Sequence, residues 1–200
     1  AGWAGATAAR TLHDLGIPVE VFESAPVVGG HSRVEVLDGV VYEPNGPHIF
    51  HTSDEEVATL VTRFGMGRPF QHRVLTEVFE DEDDEAGRLF SWPLQRDELE
   101  QLRSWPQVRD ELDRRPAQPT GTSFEEHVIS LMGETLYRLF IEGYTRKQWG
   151  TEPSTLSAAL APRRVELRDD GHRGLFRDRY EWFPAEGVNG IVEAMLDGIA

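Results

Sequence analysis

The sequence predicts an α/β fold with an inserted helical subdomain, and three observations lead to this prediction. Small helix-forming residues fill positions 4–15 and end at Gly16, and a β-rich run follows at 19–22. From 93 to 150 the apolar residues take helical spacing. After Pro153 strand and helix patterns alternate again. The order of glycine turn, helix and strand is two-thirds of a βαβ unit.

Composition narrows the class of protein. The chain has 200 residues, of which 39% are hydrophobic, enough for a core without reaching membrane levels. A formal net charge of −15 argues against a nucleic-acid partner. No apolar run approaches the roughly 20 residues that span a bilayer, so we expect no membrane insertion. The absence of cysteine excludes disulfides and thiolate sites and is compatible with the cytoplasm.

The chain opens on a glycine motif. Ala1-Gly2-Trp3-Ala4-Gly5 matches the last five positions of G-x-G-x-x-G, so we expect the preceding strand to lie before Ala1. Glu23 follows about 20 residues later, where a carboxylate can accept hydrogen bonds from ribose hydroxyls. Gly29 and Gly30 come next, a pattern that resembles the FAD site of glutathione-reductase-like and amine-oxidase-like flavoproteins. We therefore predict a Rossmann-like FAD-binding domain.

The remaining elements follow from local patterns. Asp38-Gly39 predicts a hairpin over 33–42. Positions 53–64 predict a helix capped by Ser53, and the acidic run 80–85 predicts a solvated hairpin tip. A capping-box spacing at 122–125 precedes a helix, a strand is expected near 180–183, and a last helix at 188–196. The predicted domains are 1–92 (FAD-binding), 93–150 (helical) and 151–200 (a return to the FAD domain).

Two histidines stand in Asn45-Gly46-Pro47-His48-Ile49-Phe50-His51-Thr52. Their i, i+3 spacing could suit a metal, but no third ligand lies nearby, so no metal site is predicted. A structural pair of hydrogen-bonded histidines is the other alternative.

The segment 46–52 resembles the G-A-H-I-F-H-T segment of bacterial UDP-galactopyranose mutases, and Gly143-Tyr144-Thr145-Arg146-Lys147-Gln148-Trp149-Gly150 resembles their G-Y-T-x-K-Q-W-G. The two motifs occur in the same order, and the resemblance covers essentially the whole chain. It implies an FAD-dependent mutase that interconverts UDP-galactopyranose and UDP-galactofuranose. In that family the N5 of reduced flavin attacks the anomeric carbon, without net redox change. The resemblance also suggests a homodimer and a role in galactofuranose synthesis for cell-surface polysaccharide.

The resemblance implies roles for individual residues. His48 and His51 would lie beside the flavin as catalytic residues, and Arg164 would stabilise the substrate diphosphate, although ungapped counting selects Arg163 instead. The other implied positions fall into two groups. Cofactor contacts would come from Gly2, Ala4, Gly5, Glu23, Ser24, Gly29, Gly30, His31, His48 and Ile49; substrate contacts would come from His72, Tyr144, Thr145, Trp149 and Arg164.

Departures from the family pattern leave the sugar open. Leu175 stands where the family has a tyrosine, and Gly187-Val188-Asn189 replaces its G-Y-T. A mutase for another nucleotide sugar and an FAD-dependent oxidoreductase of the amine-oxidase or desaturase type are the alternatives. Because the family fold continues beyond Ala200, we expect the isolated chain to be inactive.

Overall fold

The computed structural model describes residues 1–163, 165–184 and 187–199. The chain divides into two compact units, the first formed by Ala1–His72 and Phe176–Ala200 and the second by Arg73–Leu175. These boundaries differ from the predicted ones, because the hairpin at 74–92 and the segment 151–175 belong to the second unit. No helix in the described part of the chain is long and apolar enough to cross a membrane.

Three helices and a small sheet build the first unit. Helix α1 spans Trp3–Asp14, α2 spans Glu55–Thr62, and α7 spans Asn189–Leu196. Strand β9 (Tyr180–Phe183) pairs antiparallel with β3 (Phe50–Thr52) on one side and β4 (Arg68–Pro69) on the other. The predicted strand at 180–183 and the helices at 4–15 and 188–196 are thus confirmed within one residue at most ends.

The core of the first unit lies where α1, α2 and α7 meet the sheet. Ala6 of α1 packs with Val192 and Met195 of α7. Trp182 of β9 stacks on Phe50 of β3, with ring centroids 4.5 Å apart. Burying apolar area in this way stabilises the unit by about 25 cal/mol per Å². The contacts fix α1 and β3, which carry the predicted cofactor and flavin-side residues.

The predicted hairpin at 33–42 is confirmed. Strands β1 (Glu35–Leu37) and β2 (Val40–Tyr42) pair antiparallel, and the turn residues Asp38 and Gly39 have φ of 51° and 81°. Positive φ at both positions is the geometry of a type I′ turn, which matches the twist of the flanking strands. The turn dipeptide therefore fixes this hairpin locally.

Two sequence expectations in the first unit are wrong. No strand forms at 19–22, and the Phe22 side chain is 87% exposed, because no described segment pairs with this run and a strand needs a hydrogen-bonded neighbour. The cap of α2 is Asp54, not Ser53. The Asp54 carboxylate accepts from the N–H groups of Glu56 and Val57, whereas Ser53 Oγ donates to Asp178.

The second unit combines a hairpin with helices. Strands β5 (Val74–Val78) and β6 (Arg88–Trp92) pair antiparallel, and β7 (Leu94–Gln95) pairs parallel with β8 (Leu167–Arg168). The helices are α3 (Trp105–Arg114), α4 (Phe124–Met132), α5 (Glu134–Leu136) and α6 (Gly143–Trp149), with a π-helical turn at Tyr137–Glu142. Helical structure therefore dominates 96–149, as predicted.

A capping box begins α4, one residue later than the predicted spacing. Ser123 Oγ accepts from the N–H of Glu126, and the Glu126 carboxylate accepts from the N–H of Ser123. Phe124, Val128 and Met132 then point into the core, where Phe90 meets Phe140 edge to face at 5.1 Å. The helix predicted after the capping box is confirmed.

The acidic run 80–85 is not wholly a solvated tip. Glu80 is largely buried and accepts from Ser104 N–H and Oγ, while Asp84 binds Arg103 through both oxygens. Two acids of the run therefore attach the hairpin to the start of α3. The other four members of the run stay exposed.

We predict that acid weakens this unit through half-buried carboxylates. Burial of Glu98 disfavours its charged form and acts to raise its pKa, but hydrogen bonds from the N–H of Ser91 and the Arg173 guanidinium outweigh this effect and lower the pKa. The pKa values of Glu80 and Glu111 are also lowered, because backbone N–H groups donate to their carboxylates. A depressed folded-state pKa gives stability that is present above the unfolded value of 4.5 and is lost as pH falls through the folded pKa.

Urea unfolding at a series of pH values, from neutral to below 4.5, measures this effect. Glu98→Gln should reduce the proton uptake on unfolding by up to about one proton. Glu82→Gln, at an exposed position of the acidic run, is the matched control. An identical acid slope in Glu98→Gln and the parent protein would contradict the prediction.

Candidate functional site

The glycine motif and the paired glycines meet at the start of α1. The N–H of Gly29 donates to the Ala1 carbonyl at 2.8 Å. A Cβ on Gly30 would lie 2.9 Å from the Gly2 Cα, so the two backbones touch where a side chain would not fit. Gly29 and Gly30 also have φ of 113° and 60°, a region that favours glycine. Glycine is therefore required here by both contact and conformation.

Glu23 lies beside the same motif. Its carboxylate lies against the backbone nitrogen of Ala1, and its Oε1 accepts from the N–H of Ala25 at 2.7 Å. The predicted ribose-binding acid is thus brought next to the glycine motif, as the sequence spacing implies. Ser24 is exposed next to it, and the His31 carbonyl accepts from Asn45 Nδ2 at 3.0 Å.

The start of α1 fits the diphosphate of a dinucleotide. Gly2 precedes the helix, no side chain of the described residues caps it, and its first turn holds no acidic residue. The free N–H groups and the positive end of the helix dipole then attract an anion. Ala4 and Gly5, in this turn, are exposed and present little side chain. In a chain of net charge −15, a first turn without acidic residues favours a phosphate ligand.

The segment 46–52 carries unsatisfied polar atoms. His48 donates its backbone N–H to Glu43 Oε2 at 2.7 Å. His48 Nδ1 and Glu43 Oε1 are buried, and neither has a hydrogen-bond partner among the described residues. Ile49 is partly buried beside them. Because buried polar atoms are normally paired, this segment fits contact with a ligand that offers hydrogen-bonding groups.

His51 and His72 share an aromatic neighbour in the first unit. The His51 ring stacks on Phe176, with centroids 3.6 Å apart and planes at 11°. The His72 ring centroid lies 6.1 Å from that of Phe176. His51 Nδ1 also lies 2.7 Å from Asp178 Oδ2. The structure therefore groups two of the histidines chosen from sequence around one aromatic side chain.

The predicted substrate residues of the second unit lie on α6. Tyr144 is 68% exposed and Trp149 is 44% exposed, so both rings reach the surface of this unit. Thr145 is 4% exposed and belongs to its interior. Arg146 binds Glu142 and Glu152, whose charges raise the pKa of its guanidinium and anchor the end of the helix. The predicted Arg164 lies outside the described residues.

Comparison with known protein families shows which family the chain belongs to. A model of flavin containing amine oxidoreductases matches residues 3–199, nearly the whole chain. The chain belongs to this family. Membership in the flavin containing amine oxidoreductases confirms the flavin cofactor, FAD, that the sequence predicts.

Individual relatives of the chain include proteins named as nucleotide-sugar mutases. The chain is 30% identical to a probable UDP-galactopyranose mutase of Klebsiella pneumoniae, over 98% of this chain and 51% of that protein. It is 27% identical to a dTDP-fucopyranose mutase of Escherichia coli, over 98% of this chain and 52% of that protein. The chain spans about half the length of the curated relatives it matches.

A solved structure confirms the predicted fold class. The crystal structure of a reduced UDP-galactopyranose mutase superposes with a TM-score of 0.77 at 21% identity, over 100% of this chain and 45% of that one. The α/β fold with its inserted helical part is therefore that of the flavin containing amine oxidoreductases.

Sequence reasoning missed two side chains that organise the first unit. Asp178 binds His51, and Asn189 pairs with the backbone of Val34, accepting from its N–H at 2.9 Å and donating to its carbonyl at 3.0 Å. Asn189 Oδ1 also lies next to Gly29. Both partners are more than 120 residues away in the chain. The sequence shows that Asn189 departs from the G-Y-T pattern of UDP-galactopyranose mutases, but it does not show that Asn189 binds the backbone of Val34.

Proposed function

We propose that the chain forms the FAD-binding half of a mutase that interconverts UDP-galactopyranose and UDP-galactofuranose. The observation that carries this proposal is the similarity to two nucleotide-sugar mutases over 98% of the chain. The assembly of Gly2, Glu23, Gly29 and Gly30 at an uncapped helix end supports the cofactor part of it. We further propose that the first unit binds FAD and that 93–150 supplies substrate contacts.

The roles of the residues follow from their chemistry. Bound in its reduced form, the flavin supplies a nucleophilic N5 for the anomeric carbon of the sugar. His48 and His51 lie beside the flavin, where His48 Nδ1 needs a partner. Tyr144 and Trp149 offer apolar faces with polar tips to uracil and sugar. Arg164 neutralises the diphosphate as it departs, since a guanidinium bonds two oxygens at once.

A mutase for another nucleotide sugar is the second candidate. Leu175 has no hydroxyl at the position where UDP-galactopyranose mutases have a tyrosine. One relative is named as a dTDP-fucopyranose mutase. The same flavin chemistry would serve either sugar. The difference would lie in the side chains that meet the base and the ring hydroxyls.

The test uses the whole protein that contains this chain. The dithionite-reduced protein is incubated anaerobically with UDP-galactopyranose, UDP-galactofuranose or dTDP-fucopyranose, and the products are separated by chromatography. We expect pyranose–furanose interconversion only in the reduced state. Conversion of dTDP-fucopyranose alone would identify a dTDP sugar as the substrate in place of the UDP sugar. Stoichiometric reduction of oxidised flavin by an amine or other substrate, without isomerisation, would replace the mutase by an oxidoreductase.

A pair of adjacent arginines tests the diphosphate role. Arg164→Ala should lower kcat/KM about tenfold, because a hydrogen bond to a charged group is worth at least ~1.5 kcal/mol. Arg163→Ala is the matched control and should change it little. The reverse ranking would assign the role to Arg163, and equal small effects would remove it from both.

We also propose that the protein works in the cytoplasm as a homodimer and supplies galactofuranose for cell-surface polysaccharide. The absence of cysteine suits a reducing compartment. Sedimentation of the whole protein measures the oligomeric state.

A further inference from the structure

The His51 ring is held on two sides. Its Nδ1 lies 2.7 Å from Asp178 Oδ2, and its plane stacks on Phe176 at 3.6 Å. His51 sits in β3 opposite Glu181 of β9, so its backbone is fixed by the sheet. The hydrogen bond and the stack together leave one ring nitrogen, Nε2, for other partners. About one-third of the side chain is exposed, so a ligand can reach it.

The carboxylate that binds His51 is itself fixed. Its second oxygen, Oδ1, accepts from Ser53 Oγ at 3.0 Å, and Ser53 Oγ accepts in turn from the N–H of Arg179 at 3.1 Å. Both oxygens of Asp178 are therefore engaged by named partners. This network also explains why Ser53 does not cap α2.

The hydrogen bond determines the tautomer of the neutral ring. An ionised carboxylate can only accept hydrogen bonds, so Nδ1 must carry the proton. Nε2 is then left with its lone pair and acts as an acceptor. The same relationship between a carboxylate and one imidazole nitrogen sets the free nitrogen in other protein sites.

We propose that Asp178 is a positioning residue that holds neutral His51 as the Nδ1–H tautomer and presents Nε2 as an acceptor to an N–H or O–H donor of the bound ligand. The identity of the ligand rests on the proposed function, whereas the tautomer does not. The position of the proton therefore provides a test that is separate from catalysis.

The test is nuclear magnetic resonance of the whole protein with ¹⁵N-labelled histidine, at a pH where His51 is neutral. Loss of its signals in His51→Gln assigns them. We expect a protonated Nδ1 and an unprotonated Nε2 in the parent protein. Asp178→Asn can donate its amide N–H to Nδ1 and should move the proton to Nε2. Ser53→Ala keeps the carboxylate and should keep the parent tautomer.

Asp178→Glu serves as the conservative variant, since it retains an acceptor and should retain a protonated Nδ1. If His51 of the parent protein carries its proton on Nε2, or if Asp178→Asn folds and leaves the tautomer unchanged, the proposal is wrong. The parent measurement decides the question even where Asp178→Asn fails to fold.

Two ligand arms identify the donor. Addition of FAD alone, or of UDP to the FAD-loaded protein, should shift the Nε2 resonance. A shift on adding FAD identifies the cofactor as the hydrogen-bond donor, and a shift only on adding UDP identifies the nucleotide. No shift in either arm would overturn the acceptor role. In the mutase assay, Asp178→Asn should lower kcat about tenfold with little change in KM, because a misplaced or mis-protonated group affects the chemical step. Absence of all mutase activity would overturn the proposed function and leave the tautomer result standing.

Discussion

Replacing Arg168 by methionine should lower the free energy of unfolding by about 3 kcal/mol, since it removes the hydrogen-bond donor from backbone carbonyls that each cost about 1–3 kcal/mol when buried and unsatisfied. Arg168 is 4% exposed and ends β8. Its Nε binds Glu166 at 2.7 Å. Its Nη1 donates to the carbonyls of His172 and Gly174 at 3.0 and 2.6 Å, and its Nη2 donates to that of Leu175 at 3.3 Å. One guanidinium therefore binds three backbone carbonyls of the segment 172–175.

Lysine cannot replace this arginine. The planar guanidinium spreads its N–H groups over several acceptors, whereas an ammonium on a flexible chain cannot reach the same set. Gln95, which is paired with Arg168 across the parallel strands, also donates to the His172 carbonyl at 2.8 Å and would keep that acceptor partly satisfied. The carbonyls of Gly174 and Leu175 would lose the guanidinium.

Urea denaturation measures the effect, with Arg114→Met as the matched control. Arg114 lies in the same unit and pairs with Asp110 on α3, but its side chain is 77% exposed, so the same substitution should cost less than ~1 kcal/mol. Hydrogen exchange should also accelerate at 172–175 in Arg168→Met alone. Equal losses in the two variants would show that burial of Arg168 has no special effect on stability.

Local chemistry explains what could be predicted from the sequence. The hairpin at Asp38-Gly39 depends on residues within one turn, so its pattern is readable in a single chain, whereas the two predicted caps each lie one residue before the observed ones. Ser53 does not cap α2 because its hydroxyl donates a hydrogen bond to a distant residue, Asp178. The run at 19–22 has the composition of a strand, but composition alone does not make one. A strand also needs a neighbouring segment to pair with, and the local sequence does not show whether one is present.

The candidate site divides in the same way. The spacing of Gly2, Glu23 and Gly29 is a property of one short stretch of sequence, and the structure brings these residues together. The partners of His51 and Val34 lie more than 120 residues away and come close only when residues 176–199 pack against the rest of the first unit. The parallel pairing of Gln95 with Arg168 is equally non-local. Such contacts leave no pattern in a single sequence.

Replacing Gly30 by alanine should lower the free energy of unfolding by about 3 kcal/mol and weaken FAD binding. Alanine at a φ of 60° costs about 1–2 kcal/mol. Its Cβ would also lie 2.9 Å from the Gly2 Cα, and backbone cannot move away as a flexible side chain can. Relieving that contact costs a further ~1–3 kcal/mol. The strain falls on Gly2, the residue that precedes α1, where we propose that the diphosphate binds.

Gly16→Ala separates the two causes. Gly16 has a φ of 73°, close to that of Gly30, but nothing lies within 4 Å of an added Cβ. It should therefore lose only the conformational part, about 1–2 kcal/mol, and keep its FAD. Urea denaturation and the flavin absorbance retained after gel filtration measure both quantities in the whole protein. Equal loss of stability in both variants would mean that the contact between Gly30 and Gly2 is not tight. Full FAD retention by a folded Gly30→Ala would mean that the cofactor does not depend on this contact.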